Sequence, residues 1–200
     1  MEVMFRCSKC HQPYPLEGVP HRCQCGGVFD VDSFPPFDSK KVTDLPRMWK
    51  YARMFGLPAH APIVTLGEGD TPLVEGRFNY HSVFFKMESL NPTGSYKDRG
   101  SAVLTSFLLS RGVAEAVEDS SGNAGASFAA YAARACIKDH IYFPESTSGQ
   151  KADQISMYGA DVVRIPGPRS EAARAVLEAV ERGSVYASHA YMPFGLTGIA

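Results

Sequence analysis

The chain has 200 residues, of which 44% are hydrophobic and 11% aromatic, and its 20 Lys and Arg nearly balance 21 Asp and Glu, for a net charge of −1. This composition excludes a globally disordered chain, and the balanced charge argues against a nucleic-acid or anionic-membrane surface. Because no apolar run approaches the roughly 20 residues of a membrane span and residues 1–10 lack a signal-peptide core, we expect a soluble, cytoplasmic protein.

The first predicted element is a metal-binding segment at the N-terminus. Four of the five cysteines lie there in two closely spaced pairs, Cys7 with Cys10 and Cys23 with Cys25. Thiolates on two tight turns supply the four soft ligands that a tetrahedral zinc ion prefers. The spacing therefore predicts a zinc-ribbon-like segment over residues 1–30 that holds a structural zinc.

Other interpretations of these cysteines remain open. A disulfide pair is one, although the chain shows no secretion signal, and a site that has lost its metal is another. His11 and His21 are candidate substitute ligands. The fifth cysteine, Cys136, lies in an alanine-rich segment and is interpreted as a small buried hydrophobe.

Frequent prolines predict irregular structure in the region that follows, residues 31–90, which we interpret as a connecting segment and the start of the next domain. A short helix is expected at residues 45–55, because Pro46 near its start and Gly56 after its end are typical helix boundaries. The single tryptophan, Trp49, is expected to pack on the main domain.

Beyond Val83, short strands alternate with helices in the predicted pattern. The predicted strands are residues 83–85, 114–118, 141–143, 162–165 and 185–187. The predicted helices are residues 95–111, 123–135, 148–158 and 170–182. This alternation predicts right-handed crossovers and an α/β fold, in which a parallel sheet carries helices on both faces.

The first segment that suggests chemistry is the turn at residues 91–100, which places Lys97 in the first turn of a helix. The partial positive charge of a helix start disfavours a protonated amine and favours its neutral, nucleophilic form. Such an amine can form a covalent bond with a carbonyl carbon. On spacing alone, an exposed lysine that pairs with Asp98 or a neighbouring strand is the alternative.

The second segment lies between a strand and a helix and consists of Ser120, Ser121, Gly122 and Asn123. Hydroxyl groups, a side-chain amide and free backbone N–H groups at a helix start favour the binding of a carboxylate, phosphate or phenolate oxygen. A simple helix N-cap is the alternative for this motif taken alone. Because ligands of parallel sheets bind at the carboxyl ends of strands, two such junctions in succession favour one shared site.

Residues 91–100 closely resemble the lysine motif of threonine synthases, which are pyridoxal-phosphate enzymes of the tryptophan-synthase-β-like fold, fold type II. Residues 67–73, Gly-Glu-Gly-Asp-Thr-Pro-Leu, resemble the GEGxTPL signature upstream of that motif. Further matches are the cysteine pairs, residues 48–51, Lys151, Gln154 and residues 159–160. The resemblance covers essentially the whole chain.

The resemblance implies that Lys97 binds pyridoxal 5′-phosphate covalently and carries protons between substrate carbons. Asn123 would contact the phenolate oxygen of the cofactor, while Ser120, Ser121, Gly122 and the amide of Asn123 would hold the substrate carboxylate. The implied activity is that of a carbon–oxygen lyase, which converts O-phospho-L-homoserine and water to L-threonine and phosphate. The implied partner is a small amino acid, with no nucleic acid or membrane, and a homodimer is a common assembly of the family.

The chain departs from the family pattern at two positions. Ala124 replaces the usual Thr or other polar residue, and residues 192–198 replace a stretch of the form N-P-x-x-L-E-G. A serine/threonine dehydratase or a β-replacement enzyme acting on phosphoserine or a related amino acid therefore stays open, as does an inactive zinc-ribbon binding module. The family's glycine-rich phosphate loop would lie downstream, so residues 91–200 are expected to be the cofactor-binding region of a larger enzyme.

Overall fold

A computed structural model describes residues 4–34 and 36–199. Pro35 and Ala200, which fall in the predicted segments 31–90 and 91–200, lie outside the described residues, as do residues 1–3 of the predicted zinc segment. No helix among the described residues is both long and apolar enough to cross a membrane.

A parallel four-stranded sheet forms the centre of the fold. Its strands are β5 (Glu115–Glu118), β6 (Lys138–Pro144), β7 (Asp161–Ile165) and β8 (Val185–Tyr186), in the order β7-β6-β5-β8. The α-helices are α1 (Lys97–Ser110), α2 (Asn123–Ala135), α3 (Gln150–Met157), α4 (Arg169–Glu181) and α5 (Phe194–Ile199). The predicted α/β fold with a parallel sheet is confirmed.

Helices cover both faces of this sheet. Successive side chains of a strand point to opposite faces, and in β5 both Ala116 and Val117 are buried. Ala116 belongs to the core that α1 and α2 supply, whereas Val117 packs in a separate cluster with Val176 of α4. The two faces of β5 therefore have different helical neighbours.

Two antiparallel hairpins precede this sheet. One pairs β1 (Met4–Cys7) with β2 (Phe29–Ser33), and the other pairs β3 (Leu73–Phe78) with β4 (His81–Lys86). The predicted strand at residues 83–85 thus lies in a hairpin and not in the parallel sheet. Positive φ angles at Asn79 (47°) and Tyr80 (67°) form the tight turn that a two-residue hairpin needs.

The short helix expected at residues 45–55 is present as a 3-10 helix, Arg47–Met54. Trp49 is 1% exposed and packs in a core cluster with Phe55 and Tyr131, the latter from α2. Its predicted packing on the main domain is confirmed.

The interpretation of Cys136 as a buried residue is wrong. This residue follows α2 with a left-handed backbone, φ 55°, and is exposed. The Ile137 N–H donates to the carbonyl of Ala132, which turns the chain away from the helix end and directs Cys136 outward.

The first 30 residues share a hydrophobic core with the α/β region. The Phe5 ring lies 4.3 Å and the Tyr14 ring 5.0 Å from the ring of Phe194, measured between centroids. Phe194, the first residue of α5, stacks on Phe107 of α1 at 3.5 Å. The N-terminal segment therefore supports the helix pair that leads back to Lys97.

Candidate active site and metal centre

Lys97 is half-buried at the first position of α1. Its backbone N–H donates to Ser95 Oγ at 3.3 Å, and its side-chain Nζ lies 5.0 Å from the Tyr96 ring centroid. Within residues 4–34 and 36–199, no ion pair engages Nζ, so the alternative of pairing with Asp98 is not observed. The amine is available for a ligand.

Asp98 fixes the start of α1 from the inside. Its carboxylate is fully buried and accepts hydrogen bonds from the Thr93 N–H (2.7 Å), the Thr93 hydroxyl and the Ser127 hydroxyl (2.7 Å). Burial raises the pKa of Asp98 even though these donors oppose the shift. The carboxylate therefore joins the lysine turn to α2.

Arg99 fixes the same turn from the other side. Its Nε and Nη2 donate to the two carboxylate oxygens of Glu88, both at 2.8 Å. This bidentate pair, aided by Thr71 and Asn91, holds the pKa of Glu88 at about 2, well below its ordinary value. Such a fork geometry restricts rotation as well as distance.

Ser120, Ser121 and Gly122 form the loop after β5, and Asn123 begins α2. Ser120 is buried and Asn123 is exposed. A Cβ atom at Gly125 would lie 1.7 Å from the Ser120 carbonyl oxygen, so only glycine lets the loop fold this closely onto the helix. The tight turn presents the first N–H groups of α2 at the carboxyl end of β5.

The two helix starts lie side by side. The Ser127 hydroxyl of α2 lies 2.7 Å from the Asp98 carboxylate and 2.8 Å from the Ser101 hydroxyl of α1. Asn123 is four residues before Ser127 and shares its helix face, while Lys97 adjoins Asp98. The structure thus brings together the first turns of the helix that begins with Lys97 and the helix that begins with Asn123.

Two residues of α3 also reach this place. Lys151 Nζ and Gln154 Nε2 each donate to the Thr93 carbonyl at 3.2 Å. These two residues, which match the family pattern, therefore have a structural role, because they hydrogen-bond from α3 to the turn before Lys97.

A pocket of about 460 Å³ adjoins Tyr96. Its charged lining comprises Lys50, Asp70, Lys86, Glu88 and Arg99. Each cation has a partner, since Lys50 pairs with Asp70, Lys86 donates to the Thr71 carbonyl and Arg99 binds Glu88.

Glu68 is a buried residue for which the sequence predicted no role. It accepts hydrogen bonds from Trp49 Nε1 (2.6 Å), the Tyr131 hydroxyl (2.6 Å) and the Leu66 N–H (3.0 Å). Burial, together with Glu68, raises the pKa of Tyr131. The Gly-Glu-Gly-Asp segment is therefore fastened to α2 behind the site.

Glu118, the last residue of β5, was also missed. It is 1% exposed, and its Oε1 lies 3.0 Å from His189 Nδ1, whereas Oε2 is buried and has no partner among the described residues. Burial raises the pKa of Glu118. An acid that ends a buried strand was the available signal, and nothing in the sequence linked it to His189.

The four N-terminal cysteines converge, as predicted. Their sulfur atoms all lie within 4.8 Å of one another, with Cys7 and Cys25 separated by 3.5 Å and Cys10 and Cys23 by 3.6 Å. A tetrahedron of Zn–S bonds of about 2.3 Å places its sulfurs about 3.8 Å apart, close to this arrangement. The backbone N–H of Cys10 lowers the pKa of Cys7, which favours its thiolate. By contrast, the pKa of Cys10 is raised, against the opposing Gln12 N–H, by its hydrogen bonds to Cys25 and Cys23 and by burial.

His11 and His21 are not part of this cluster in the described residues. The His21 ring instead lies 5.5 Å from the ring of Tyr186 in β8, and Arg22 lies 4.8 Å from the ring of Tyr191. The second cysteine turn therefore contacts the segment after β8.

Residues 64–200 match the family model described as pyridoxal-phosphate dependent enzyme. The chain belongs to this family. It is 30% identical to the threonine synthase of Methanocaldococcus jannaschii, over 98% of this chain and 51% of that protein. It is 32% identical to the threonine synthase of Methanosarcina acetivorans, over 97% of this chain and 50% of that protein. The expected kinship with threonine synthases is confirmed, and the chain spans about half the length of these relatives.

Solved structures support the fold. A hydrogen sulfide-producing enzyme from Fusobacterium nucleatum matches with a TM-score of 0.56 and 27% identity over 61% of this chain and 40% of that one. A pyridoxal 5′-phosphate-dependent aspartate racemase matches with a TM-score of 0.53 and 30% identity over 59% of this chain and 39% of that one.

The residues present fit the cofactor that the family implies. Lys97 begins α1, the exposed Asn123 begins α2, and the first turns of these two helices are joined through Asp98 and Ser127. An amine can hold an aldehyde carbon, and a helix start favours an oxyanion. Lys97 and the loop from Ser120 to Asn123 would therefore hold pyridoxal phosphate at the carboxyl end of β5.

Proposed function

We propose that the chain is the part of a threonine synthase-like enzyme that carries the reactive lysine, acting on O-phospho-L-homoserine and water to give L-threonine and phosphate. The juxtaposition of Lys97 with the start of α2 carries this proposal. The threonine synthases of two archaeal species, matched over nearly the whole chain, support the choice of substrate.

When bound, pyridoxal phosphate supplies an electron sink for the substrate carbons. Lys97 would hold the cofactor through Nζ, and its amine would carry protons at that atom. Asn123 would contact the cofactor from the start of α2. The hydroxyls of Ser120 and Ser121 and the N–H groups that follow them bind the substrate carboxylate.

One observation favours a second candidate, a dehydratase or β-replacement enzyme on a smaller amino acid. Ala124 and Phe194 are buried, and the Thr197 hydroxyl bonds to the Phe55 carbonyl at 2.8 Å. None of these three residues offers a free polar group to a substrate phosphate. Recognition of phosphohomoserine would then depend on other groups.

Product analysis separates these candidates. The chain is incubated with pyridoxal phosphate and, in turn, O-phosphohomoserine, O-phosphoserine, serine and threonine, and amino-acid products and phosphate are measured. The proposal expects threonine and phosphate from O-phosphohomoserine, with no product from Lys97→Ala. Keto acids from serine or threonine would favour the second candidate, and no product from any substrate, even when the downstream half present in the relatives is supplied, would favour an inactive binding module.

We further propose that Cys7, Cys10, Cys23 and Cys25 hold a structural zinc ion. Four thiolates close the coordination shell of zinc, which leaves no position for a substrate. A Cβ atom at Gly27 would lie 2.5 Å from Cys7 Sγ, so the second turn approaches the first cysteine closely enough to share one ion. Metal analysis of the purified protein should find one zinc per chain.

A further inference from the structure

Strand β5 carries two Glu–His pairs, one at each end. At the amino end, Glu115 Oε1 lies 2.7 Å from His140 Nε2, and the Glu115 side chain is 56% exposed. At the carboxyl end, Glu118 Oε1 lies 3.0 Å from His189 Nδ1, and the Glu118 side chain is 1% exposed. The same two residue types therefore occur in opposite environments on one strand.

The Glu118–His189 pair is buried at its carboxylate, and burial constrains its charge, whereas the Glu115–His140 pair is exposed at its carboxylate and lacks this constraint. A buried carboxylate is unfavourable unless it is neutral or paired, and Glu118 Oε2 has no protein donor in the described part of the chain. The His189 side chain, 38% exposed, connects Glu118 to solvent. A single shared proton makes the pair neutral overall, whichever of the two residues carries it.

The pair joins the two segments that border the candidate site. Glu118 leads directly into the loop from Ser120 to Asn123, whereas His189 lies after β8. A second link runs in parallel, because the Tyr186 hydroxyl donates to Asp119 at 2.8 Å. Side-chain bonds thus fasten the loop after β5 to the segment after β8.

That second segment continues to the lysine helix. It leads into α5, whose Gly198 approaches α1 so closely that a Cβ atom there would lie 2.2 Å from the Arg99 carbonyl oxygen. A displacement of residues 188–194 would therefore be transmitted to the helix that begins with Lys97.

We propose that Glu118 and His189 are positioning residues that hold the cofactor loop, residues 120–123, against the segment after β8 and so in register with Lys97. This inference rests on the proposed function of Lys97 and Asn123. Neither residue is assigned a bond to the substrate.

Among the described residues, the charged and titratable groups that face Glu118 are His189, Asp119, Tyr186 and Arg169, the last 3.9 Å from Asp119. Burial raises the pKa of Glu118, so a pH high enough to deprotonate it leaves a buried negative charge. We expect this uncompensated charge to loosen the loop at alkaline pH. A glutamine at the same position carries no such charge.

The test compares the two ends of β5. Variants Glu118→Ala, Glu118→Gln, His189→Ala and His189→Asn are matched by Glu115→Ala, Glu115→Gln and His140→Ala. Affinity for pyridoxal phosphate is measured from the absorbance of the lysine-bound cofactor between about pH 6 and pH 9, a range that brackets histidine titration. Amide hydrogen exchange of residues 120–126 is measured on the same proteins without cofactor.

We expect Glu118→Ala and His189→Ala to weaken the affinity about tenfold, or about 1.4 kcal/mol, and to speed exchange in residues 120–126. Glu118→Gln and His189→Asn should retain most of the affinity, because each keeps a hydrogen-bonding group in place. The fall in affinity at alkaline pH should be smaller in Glu118→Gln than in Glu115→Gln.

Failure of the positioning role can be distinguished from failure of the proposed function. If the wild type binds the cofactor and the alanine variants at both ends of β5 behave alike, the positioning role of Glu118 and His189 is wrong while the proposed function stands. If the wild type forms no lysine-bound cofactor, the proposed function is wrong and so is the role of the pair toward it.

Discussion

The parallel strands of the central sheet begin at one side, the amino edge, and end at the other, the carboxyl edge. The two edges carry similar residues in different environments. At the amino edge, His140 bridges Glu115 and Asp161 at 2.7 Å each, and both carboxylates are more than half exposed. At the carboxyl edge, Glu118 and Asp119 are withdrawn from solvent and bond to His189 and Tyr186. Exposed pairs contribute little free energy, whereas breaking a buried pair is costly, so the carboxyl edge should be the sensitive one.

The largest predicted effect is loss of the cysteine site, which supports the carboxyl edge through His21, Phe5 and Tyr14. Cys7→Ala should remove the zinc and lower the free energy of unfolding by more than about 3 kcal/mol, as expected for loss of a structural metal. Cys136→Ser, an exposed cysteine outside the cluster, is the control and should change it by less than about 0.5 kcal/mol.

Urea unfolding and zinc analysis of both cysteine variants check this prediction. Equal stability of Cys7→Ala and Cys136→Ser, or a full zinc content in Cys7→Ala, would contradict the proposed metal centre.

The next largest effect is expected at Asp98. Alanine there leaves the Thr93 N–H and the hydroxyls of Thr93 and Ser127 without their buried acceptor, and we expect a loss of about 3 kcal/mol in the free energy of unfolding. Asp161→Ala, at the exposed amino edge, should cost no more than about 1 kcal/mol. Similar losses in the two variants, measured by denaturant unfolding, would show that burial of a carboxylate does not decide the cost of its removal.

Asp139 is a buried acid whose side chain bonds to no histidine among the described residues, so its replacement tests the effect of burial alone on the free energy of unfolding. Burial raises its pKa to about 6 from an ordinary value of 3.8, and its Oδ2 has no partner in the part of the chain that is described. The folded protein binds this proton more tightly than the unfolded chain, so stability from Asp139 is complete below pH 3.8 and is lost as pH rises through about 6.

Asp139→Asn should therefore match the wild type near pH 4 and exceed its stability at pH 8 by about 1–3 kcal/mol. Thermal or urea unfolding at the two pH values measures the difference. A variant that is less stable than the wild type at pH 8 would show that the carboxylate is stabilised by contacts not identified in the structure.

The smallest effect is expected for Glu115→Gln. Its bond to His140 is exposed, so the variant should differ from the wild type by only about 0.2–1 kcal/mol in the free energy of unfolding. Added salt should make this difference smaller, because it screens exposed charges. A loss as large as that of Asp98→Ala would contradict the assignment of the amino edge as the tolerant one.

Periodicity predicted the parallel sheet because β5, β6 and β7 are each followed by a helix whose apolar residues recur every three or four positions. Helix α2 was predicted with the observed bounds, Asn123–Ala135, from its alanine-rich sequence. Helix α5 was not predicted, because Gly195 and Gly198 disfavour a helix locally and are explained only by close packing on α1.

The candidate site was partly predictable. Lys97 and Asn123 occupy turns whose chemistry is visible in the sequence, and the cysteine spacing indicated a shared centre. The partners of Asp98 and Glu118 are 29 and 71 residues away along the chain, in Ser127 and His189. Contacts of that separation depend on the tertiary fold, which no local pattern reveals.

The central claim is that Lys97 holds pyridoxal phosphate. The most direct measurement is to incubate the chain with pyridoxal phosphate, reduce it with borohydride and map the modified peptide by mass spectrometry. The account predicts one stable modification, on Lys97, and none there in Lys97→Ala. A modification confined to another lysine, such as Lys86 or Lys151, would contradict it.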